Sequence, residues 1–597
     1  MSNNDNLAPR GPHASGDEER ATSTHRPSTA ARENATPHHT QFFGVGEYDQ
    51  HLAHLAEKKE REMTFKDAVI GDFRLIMYSL GFSGTIIMEG YGLALLTYLF
   101  SVEPFNAKYG VYDTTTRKNE LEYKWKAILP LLAQLGSILG VGLTAPLVNF
   151  IGYKRTVLLM LALCAAFAFV PFFAPNVLIL AGGFLLQGIP WGVFQVVSPA
   201  YSSEVASLQM RPILTTWNNL CWIIGQLLAS AVAFAFHGLP NAWAYRVPFG
   251  LNWAFIAFLF GAIAAAPESP YWYLKKHRLG DARKATKKLV RKGSEERTEE
   301  KLALMQHAIC HEMKHVADNQ TRWQKISAMF RGVDKRRTEI ASATWIIQAL
   351  CGSSLIGWAP KLFESAGMES GKALAMNIGL PCAGIVGTVA SWWLMQKMGR
   401  RQIIFWGLIS MAVVLTACAS ASMAYNPASG FAAGAVLVLY TAIYDLTIGP
   451  ICYSIVSEIA SVRLRTQTIS FARGLYLAAN LFNLFLTPKM LGMDSESWRW
   501  GAKTGFLYAG CCGIAALYTF YRVPETKDIS VRGLSILFHE KVKARKFSAK
   551  KAAELEKSQG AAASKTSSSN NTVSVLDEVV EPKIASPARV ASPKNNN

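Results

Sequence analysis

Two carboxylates, Glu89 and Asp445, and one guanidinium, Arg473, lie inside long apolar runs of this chain. An ionised carboxylate in hydrocarbon is costly unless it is paired, so such a group marks a coupling or substrate path. Glu89, in the run MEGYG at 88–92, is placed to take a proton on one side of a bilayer and release it on the other. Asp445 precedes Gly449-Pro450, where a helix break frees backbone groups that need a partner. Glu89 is therefore read first as a proton carrier and Asp445 first as a helix-break partner, with proton coupling open to both. Arg473 can serve as a counter-charge to one of them.

A second set of charges occurs twice. Glu204 and Arg211 in YSSEVASLQMR return about 250 residues later as Glu458 and Arg465 in YSIVSEIASVRLR. The turn Gly152 to Arg155 returns as Gly399 to Arg401, and Pro267-Glu268-Ser269 returns as Pro524-Glu525-Thr526. An acid and an arginine at the rim of each half can clamp two halves together and part when the space between them opens the other way. Glu204, Arg211, Arg155 and Glu268 are the gating candidates of the first half, and Glu458, Arg465, Arg401 and Glu525 those of the second. The plainer alternative is that these charges only set topology, but their recurrence in the same order favours the clamp. Two similar halves facing each other across a cavity make an alternating-access machine, which points to a transporter.

The elements that must position these groups follow from hydropathy. Half of the 597 residues are hydrophobic, 17% are charged and the mean hydropathy is +0.15, which excludes an ordinary soluble protein. A span needs roughly 18 to 25 predominantly apolar residues to cross about 30 Å of hydrocarbon. Twelve runs qualify, at 74–101, 126–149, 156–174, 177–198, 213–236, 248–266, 341–363, 373–396, 402–424, 431–456, 468–490 and 502–522. The expected architecture is an all-α membrane protein of twelve helices in two pseudo-symmetric six-helix bundles. Its divisions are a disordered arm at 1–70, a first bundle at 71–268, a linker at 269–340, a second bundle at 341–526 and a mostly disordered tail at 527–597. The net charge of +19 is concentrated on one face, with 18 Lys and Arg against nine Asp and Glu in 271–340. By the positive-inside rule that face is cytoplasmic, with both termini inside, and a nucleic-acid partner is not expected. The linker alternates cations and acids in helix-compatible spacing, which suits either short amphipathic helices or a solvated tether. The nine cysteines show no CxxC spacing and read as small apolar packers rather than disulfide or metal groups.

The chain resembles the sugar porters of the major facilitator superfamily, and among them the fungal alpha-glucoside (maltose-type) permeases. The resemblance rests on MEGYG at 88–92, QGIPWGVFQ at 187–195, TTWNNLCWIIGQ at 215–226, PESPYWYL at 267–274, IQALCGSSLIGW at 347–358, YDLTIGPICYSIVSE at 444–458, SVRLRTQTISFAR at 461–473 and PETK at 524–527. It implies the major facilitator fold, a sugar substrate such as maltose, possible proton symport, a plasma-membrane location and a monomer. Sugar hydroxyls both donate and accept, so a desolvated sugar needs amide and hydroxyl partners, with aromatic faces over its C–H patches. Position in the matching segments makes Gln348, Asn219, Gln226, Ser354, Tyr453, Tyr476 and Asn480 the substrate-binding candidates, Gln348 first because it matches the family's sugar-binding glutamine. Each could instead be an interhelical bond or simple packing.

Departures from the family pattern bear on coupling. The family's EGYD motif places an acid where this chain has Gly92, so proton coupling must rest on Glu89 or be lost. Asn149 replaces the acid ahead of the Gly152 turn, Asp528 replaces the glycine after PETK, and Gly533-Leu534-Ser535 stands where an ELD-like stretch is usual. Two rivals therefore remain beside the symporter: a facilitator or exporter of another polar or glycosylated metabolite, and a non-transporting sugar sensor. An enzyme is not expected, since no nucleophile elbow, phosphate-cradling glycine loop or metal-ligand cluster is present, and no cofactor is implied.

Overall fold

The computed structural model describes residues 50–555 and 558, apart from 101, 114–117, 237–238, 291–294, 314–321, 360–369, 422–426, 492–497 and 499. Among the described residues twelve helices are long and apolar enough to cross a membrane. In the first half they are Phe73–Leu99, Lys124–Ile151, Tyr153–Phe173, Val177–Val205, Arg211–Phe236 and Trp243–Ala265. In the second half they are Gly332–Gly357, Ile378–Lys397, Arg400–Ser420, Gly434–Ile459, Arg465–Leu491 and Thr504–Arg522. We call them the first to twelfth spans. Each expected run is met by one span, and several continue past the apolar run into cations: the fifth starts at Arg211, the seventh at Gly332 and the ninth at Arg400. Hydropathy misses these turns because it scores Arg211, Arg337 and Arg400 as strongly polar, whereas the fold buries all three while the backbone stays helical.

In the first half, close approach of backbones sets the packing. Gly136 and Gly140 of the second span face Gly188 and Gly192 of the fourth, and a Cβ at Gly140 or Gly192 would lie 2.0 Å from the carbonyl oxygen of Ile189 or Ser137. Reciprocal small residues at a four-residue spacing allow this contact, the usual route to helix association without a hydrophobic driving force. The second half is interrupted instead. The seventh span breaks at Gly352, whose φ of +103° suits glycine, and Tyr440 caps the break by donating its hydroxyl to the Cys351 carbonyl at 2.9 Å. The tenth breaks at Thr447, between helical segments ending at Leu446 and starting at Ile448. Pro450 lacks an N–H, and its ring clashes with the carbonyl four residues earlier, which is that of Leu446.

On one face the linker forms helices Pro270–Lys275, Leu279–Leu289, Glu295–Met313 and Arg322–Met329. The arm expected to be without structure to residue 70 is helical over Gln50–Glu62 and Phe65–Gly71. It is held by apolar packing, Ala53 being buried in a cluster with Leu302, Ala303 and Met305, and by polar contacts: buried Asp72 accepts from Arg297 at 3.2 Å and Lys301 at 2.8 Å, Lys59 pairs with Glu300 at 2.8 Å, and Glu60 accepts the Leu208 N–H at 2.8 Å. The tail is likewise helical over Val531–His539. Residues 1–49 and 559–597 lie outside the described residues. On the opposite face Val111–Asp113 pairs antiparallel with Lys118–Glu120, Val111 opposite Glu120. All nine cysteines are free, and seven are buried.

Candidate functional site

At the linker face, two of the repeated acids, Glu268 and Glu525, bind the backbone of helix starts. Glu268 accepts the backbone N–H groups of Tyr153 at 2.8 Å and Lys154 at 3.0 Å, at the start of the third span. Glu525 does the same for Arg400 at 2.9 Å and Arg401 at 3.2 Å, at the start of the ninth. A carboxylate there satisfies orphan donors and complements the helix dipole. Glycine is required for it: a Cβ at Gly152 (φ +89°) would meet Glu268 Oε2 at 2.4 Å, and one at Gly399 would meet Glu525 Oε2 at 2.0 Å. Burial pushes Glu268 up to about 7, against the pull of the Ser269, Tyr153 and Lys154 N–H groups, and the charge of Glu204 adds to the rise.

The gating candidates therefore pair differently from the expected acid–arginine clamps. Glu204 accepts from Tyr153 Oη at 3.0 Å and Ser269 Oγ at 2.5 Å and lies 3.5 Å from Lys275 Nζ. Arg211 donates to the Ala206 carbonyl at 3.3 Å, and Arg155 is exposed with no ion pair among the described residues. Glu458 accepts from Ser454 at 2.8 Å and sits 3.9 Å from Arg400, not against Arg465. Arg401 donates to the Phe520 carbonyl at 2.6 Å. At this rim the two halves meet through Tyr153 Oη and Thr466 Oγ1 at 2.9 Å, and the linker's Lys275 Nζ donates to the Val462 carbonyl of the second half at 2.9 Å. At the rim a gap of only about 10 Å³ lies between Arg211, Arg400, Glu458 and Asp528. Asp528 itself has φ +58°, the left-handed conformation that glycine takes freely and that aspartate tolerates better than most residues.

Deeper in, two polar chains cross between the halves. Gln195 of the fourth span donates Nε2 to Glu89 and accepts from Arg473 Nε at 2.6 Å. The guanidinium lies 4.1 Å from the Tyr476 ring centroid and 4.3 Å from that of Trp345, a cation–π enclosure that shields it from solvent. Glu89 Oε2 and Arg473 Nη1 have no hydrogen-bond partner among the described residues, so the acid and the cation each keep valence for a proton or a ligand hydroxyl. In the second chain Asn219 donates to Asp445 at 3.0 Å and to Thr388 at 3.2 Å.

Above these chains lies a cavity of about 260 Å³, walled by both halves and reaching Lys126 and Phe100 at the span ends opposite the linker. The cavity is thus on the open side and the rim is closed. Of the substrate-binding candidates, Gln226, Ser354, Tyr476 and Asn480 line it, as does Asp445. Gln348 instead donates to the Gly449 carbonyl at 2.9 Å beside the break in the tenth span, with its Oε1 left without a partner among the described residues. Asn219 is turned to Asp445, and Tyr453 is buried against Trp345, ring centroids 4.7 Å apart. Sequence reasoning passed over Gln195 and the wall residues Gln134 and Asn483. Gln195 carried a signal, an amide one helical turn beyond Trp191 in an apolar run whose other amide is Gln187. Trp191 also explains Gly92: a Cβ there would meet Trp191 Cζ2 at 2.4 Å, so the indole fills the space that an acid would take.

Comparison with known proteins agrees with this architecture. Residues 79–538 match the family model described as sugar (and other) transporter. The general alpha-glucoside permease of Saccharomyces cerevisiae is 33% identical over 498 residues, 83% of this chain and 80% of its own length. The maltose permease MAL31 of the same organism is 34% identical over 535 residues, 88% of this chain and 86% of its own. Among solved structures, the major facilitator superfamily proton:xylose symporter XylE bound to 6-bromo-6-deoxy-D-glucose aligns with a TM-score of 0.67 and 22% identity, covering 78% of this chain and 99% of that one; other XylE structures name E. coli as the source. With the twelve spans in two facing halves, these matches show that the chain is a multi-pass membrane protein of the major facilitator fold and belongs to the sugar (and other) transporter family.

Proposed function

We propose that the chain carries an alpha-glucoside such as maltose by alternating access, as a proton symporter of the plasma membrane with the linker face and both termini in the cytoplasm. The observation that carries this reading is the cavity between the halves, whose amide and hydroxyl wall at Gln226, Ser354, Asn480 and Tyr476 stands beside the Glu89–Gln195–Arg473 chain. A sugar entering from the open side finds donors, acceptors and an aromatic face together. Protonation of Glu89 removes the charge that faces Arg473 through Gln195, which loosens a link between the halves and lets the rim part. Glu204, Glu268, Glu458 and Glu525, with Arg211, Arg155, Arg465 and Arg401 around them, form the gate in this reading. The named relatives supply the alpha-glucoside, and the excess of cations on the linker face supplies the orientation. Gly92 supports one second reading, a facilitator without proton coupling, because Trp191 holds the place where an acid would stand.

Uptake of radiolabelled maltose, glucose and trehalose by a transporter-deficient host tests the site. Gln226→Ala and Asn480→Ala are expected to lower maltose uptake roughly tenfold each, as loss of one hydrogen bond to a desolvated hydroxyl would, at unchanged surface abundance. Undiminished uptake in both variants would remove this wall from the substrate path.

A further inference from the structure

The second half carries a feature that sugar transport does not use. Where the linker-face ends of the seventh and twelfth spans meet the tail, a recess of about 860 Å³ is ringed by Arg336, Arg522, Lys541, Lys543, Arg545 and Lys546. Two of these cations are engaged: Arg522 Nη2 reaches both oxygens of Glu339 at 2.6 and 2.5 Å, and Arg336 donates to the Val542 carbonyl at 2.8 Å. Lys541, Lys543, Arg545 and Lys546 are exposed, and none has an ion pair or hydrogen bond from its side chain among the described residues. Arg545 is nonetheless held in place, its guanidinium 4.5 Å from the Phe520 ring centroid. The linker cations near the first half are treated otherwise, with Arg283 against Glu299 at 2.5 Å and Lys287 against Glu295 at 2.7 Å. Four uncompensated positive charges around one concavity are an anion site.

The source of the anion is indicated by what leads to the recess. Ile514, Leu517 and Tyr521 are 71%, 61% and 62% exposed and lie three and four residues apart along the twelfth span, one stripe on its lipid-facing side. The stripe runs directly into the recess, because Tyr521 is part of its wall. An aromatic at the end of a lipid-facing stripe sits at headgroup depth, and basic pockets at the ends of spans are suited to phosphorylated headgroups. We propose that this recess binds the phosphorylated headgroup of an anionic phospholipid of the linker-face leaflet, its acyl chains lying along Ile514, Leu517 and Tyr521. A bound lipid joins the seventh and twelfth spans to the segment after the tail helix and so holds the tail against the second half.

The full chain in neutral detergent, titrated with phosphatidylinositol 4-phosphate, phosphatidylcholine or soluble inositol 1,4-bisphosphate and read by native mass spectrometry, tests this. The phosphoinositide is expected to bind at least about tenfold more tightly than phosphatidylcholine and than the soluble headgroup. The triple variant Lys541→Asn, Lys543→Gln, Lys546→Gln is expected to lose that preference, and Lys58→Gln with Lys284→Gln, distant exposed cations, to keep it. Asparagine is used at 541 because that residue has φ +50°. Equal phosphoinositide affinity in the wild type and the triple variant overturns the proposal. So does equal affinity for phosphatidylcholine, or binding of the soluble headgroup as tight as that of the lipid. Should the triple variant unfold at a lower temperature than the wild type, Lys543→Glu alone, at an exposed position, replaces it: loss of the preference is expected, and phosphoinositide affinity equal to that of the wild type overturns the proposal.

Discussion

The two halves repeat the same rim chemistry but are built differently. In the first, glycines let the second and fourth spans interlock backbone to backbone, whereas in the second the seventh and tenth spans are broken at Gly352 and Thr447. The interlock fixes the second span against the fourth, because their contacts are between main chains. The broken half has two breaks beside the cavity: Tyr440 and Gln348 donate to carbonyls at them, whereas Asp445, expected as the partner of the second break, accepts from Asn219 instead. A transporter needs both: one bundle that keeps its shape and another whose helices can change direction within the membrane.

The largest expected effect comes from breaking the rigid half. Gly188→Leu places a side chain where the Ala133 carbonyl oxygen is 2.2 Å from the position of Cβ, and destabilisation on the order of 3 kcal/mol should remove the folded protein from the cell surface. Gly474→Ala, in the second half, meets only Val141 at 3.9 Å and should leave surface abundance unchanged. Equal loss in the two variants would erase the distinction between the halves. A smaller effect is expected from healing a hinge. Pro450→Ala restores an N–H and removes the ring clash, favouring a continuous tenth span by up to about 3 kcal/mol, so maltose turnover should slow while abundance holds. Turnover at the wild-type rate would mean that the break is not a hinge.

The smallest effect separates the rims. With Glu268 raised from its usual value near 4.5 to about 7, the folded state holds that proton more tightly than the unfolded one. Its contribution to stability is then fully present below about pH 4.5 and is lost as pH rises to about 7. Thermal unfolding in detergent between pH 5 and 8 should therefore fall with rising pH in the wild type and be flatter in Glu268→Gln. An identical pH slope in the two proteins would show that Glu268 does not titrate in this window.

The spans were legible in the sequence because twenty apolar residues in a row have few other uses, and the family was legible from segments spread along the whole chain. The chain belongs to a family of transporters, not of enzymes. The repeated acids were legible as rim groups, but their partners were not. Glu268 and Glu525 bind backbone N–H groups more than a hundred residues away, and no side-chain pattern records such a bond. The loss of an acid at Gly92 could be read directly, whereas its reason, the Trp191 ring, exists only in three dimensions. The helix Gln50–Glu62 was hidden by its own polarity, since its docking to the linker runs through contacts such as Lys59 to Glu300. Gln348 and Asn219 were chosen by their position in the segments that match the family, but the amide of Gln348 donates to the Gly449 carbonyl beside an interruption and that of Asn219 to the buried Asp445.

The central claim is that sugar and proton share a path through Glu89. Proteoliposomes holding the wild type or Glu89→Gln, with labelled maltose and an inward pH gradient, test it most directly. The account expects the wild type to accumulate maltose above the outside concentration and to lose that accumulation with a protonophore, while Glu89→Gln exchanges maltose across the membrane but does not accumulate it. Accumulation by Glu89→Gln equal to that of the wild type, or wild-type uptake indifferent to the gradient, would contradict it.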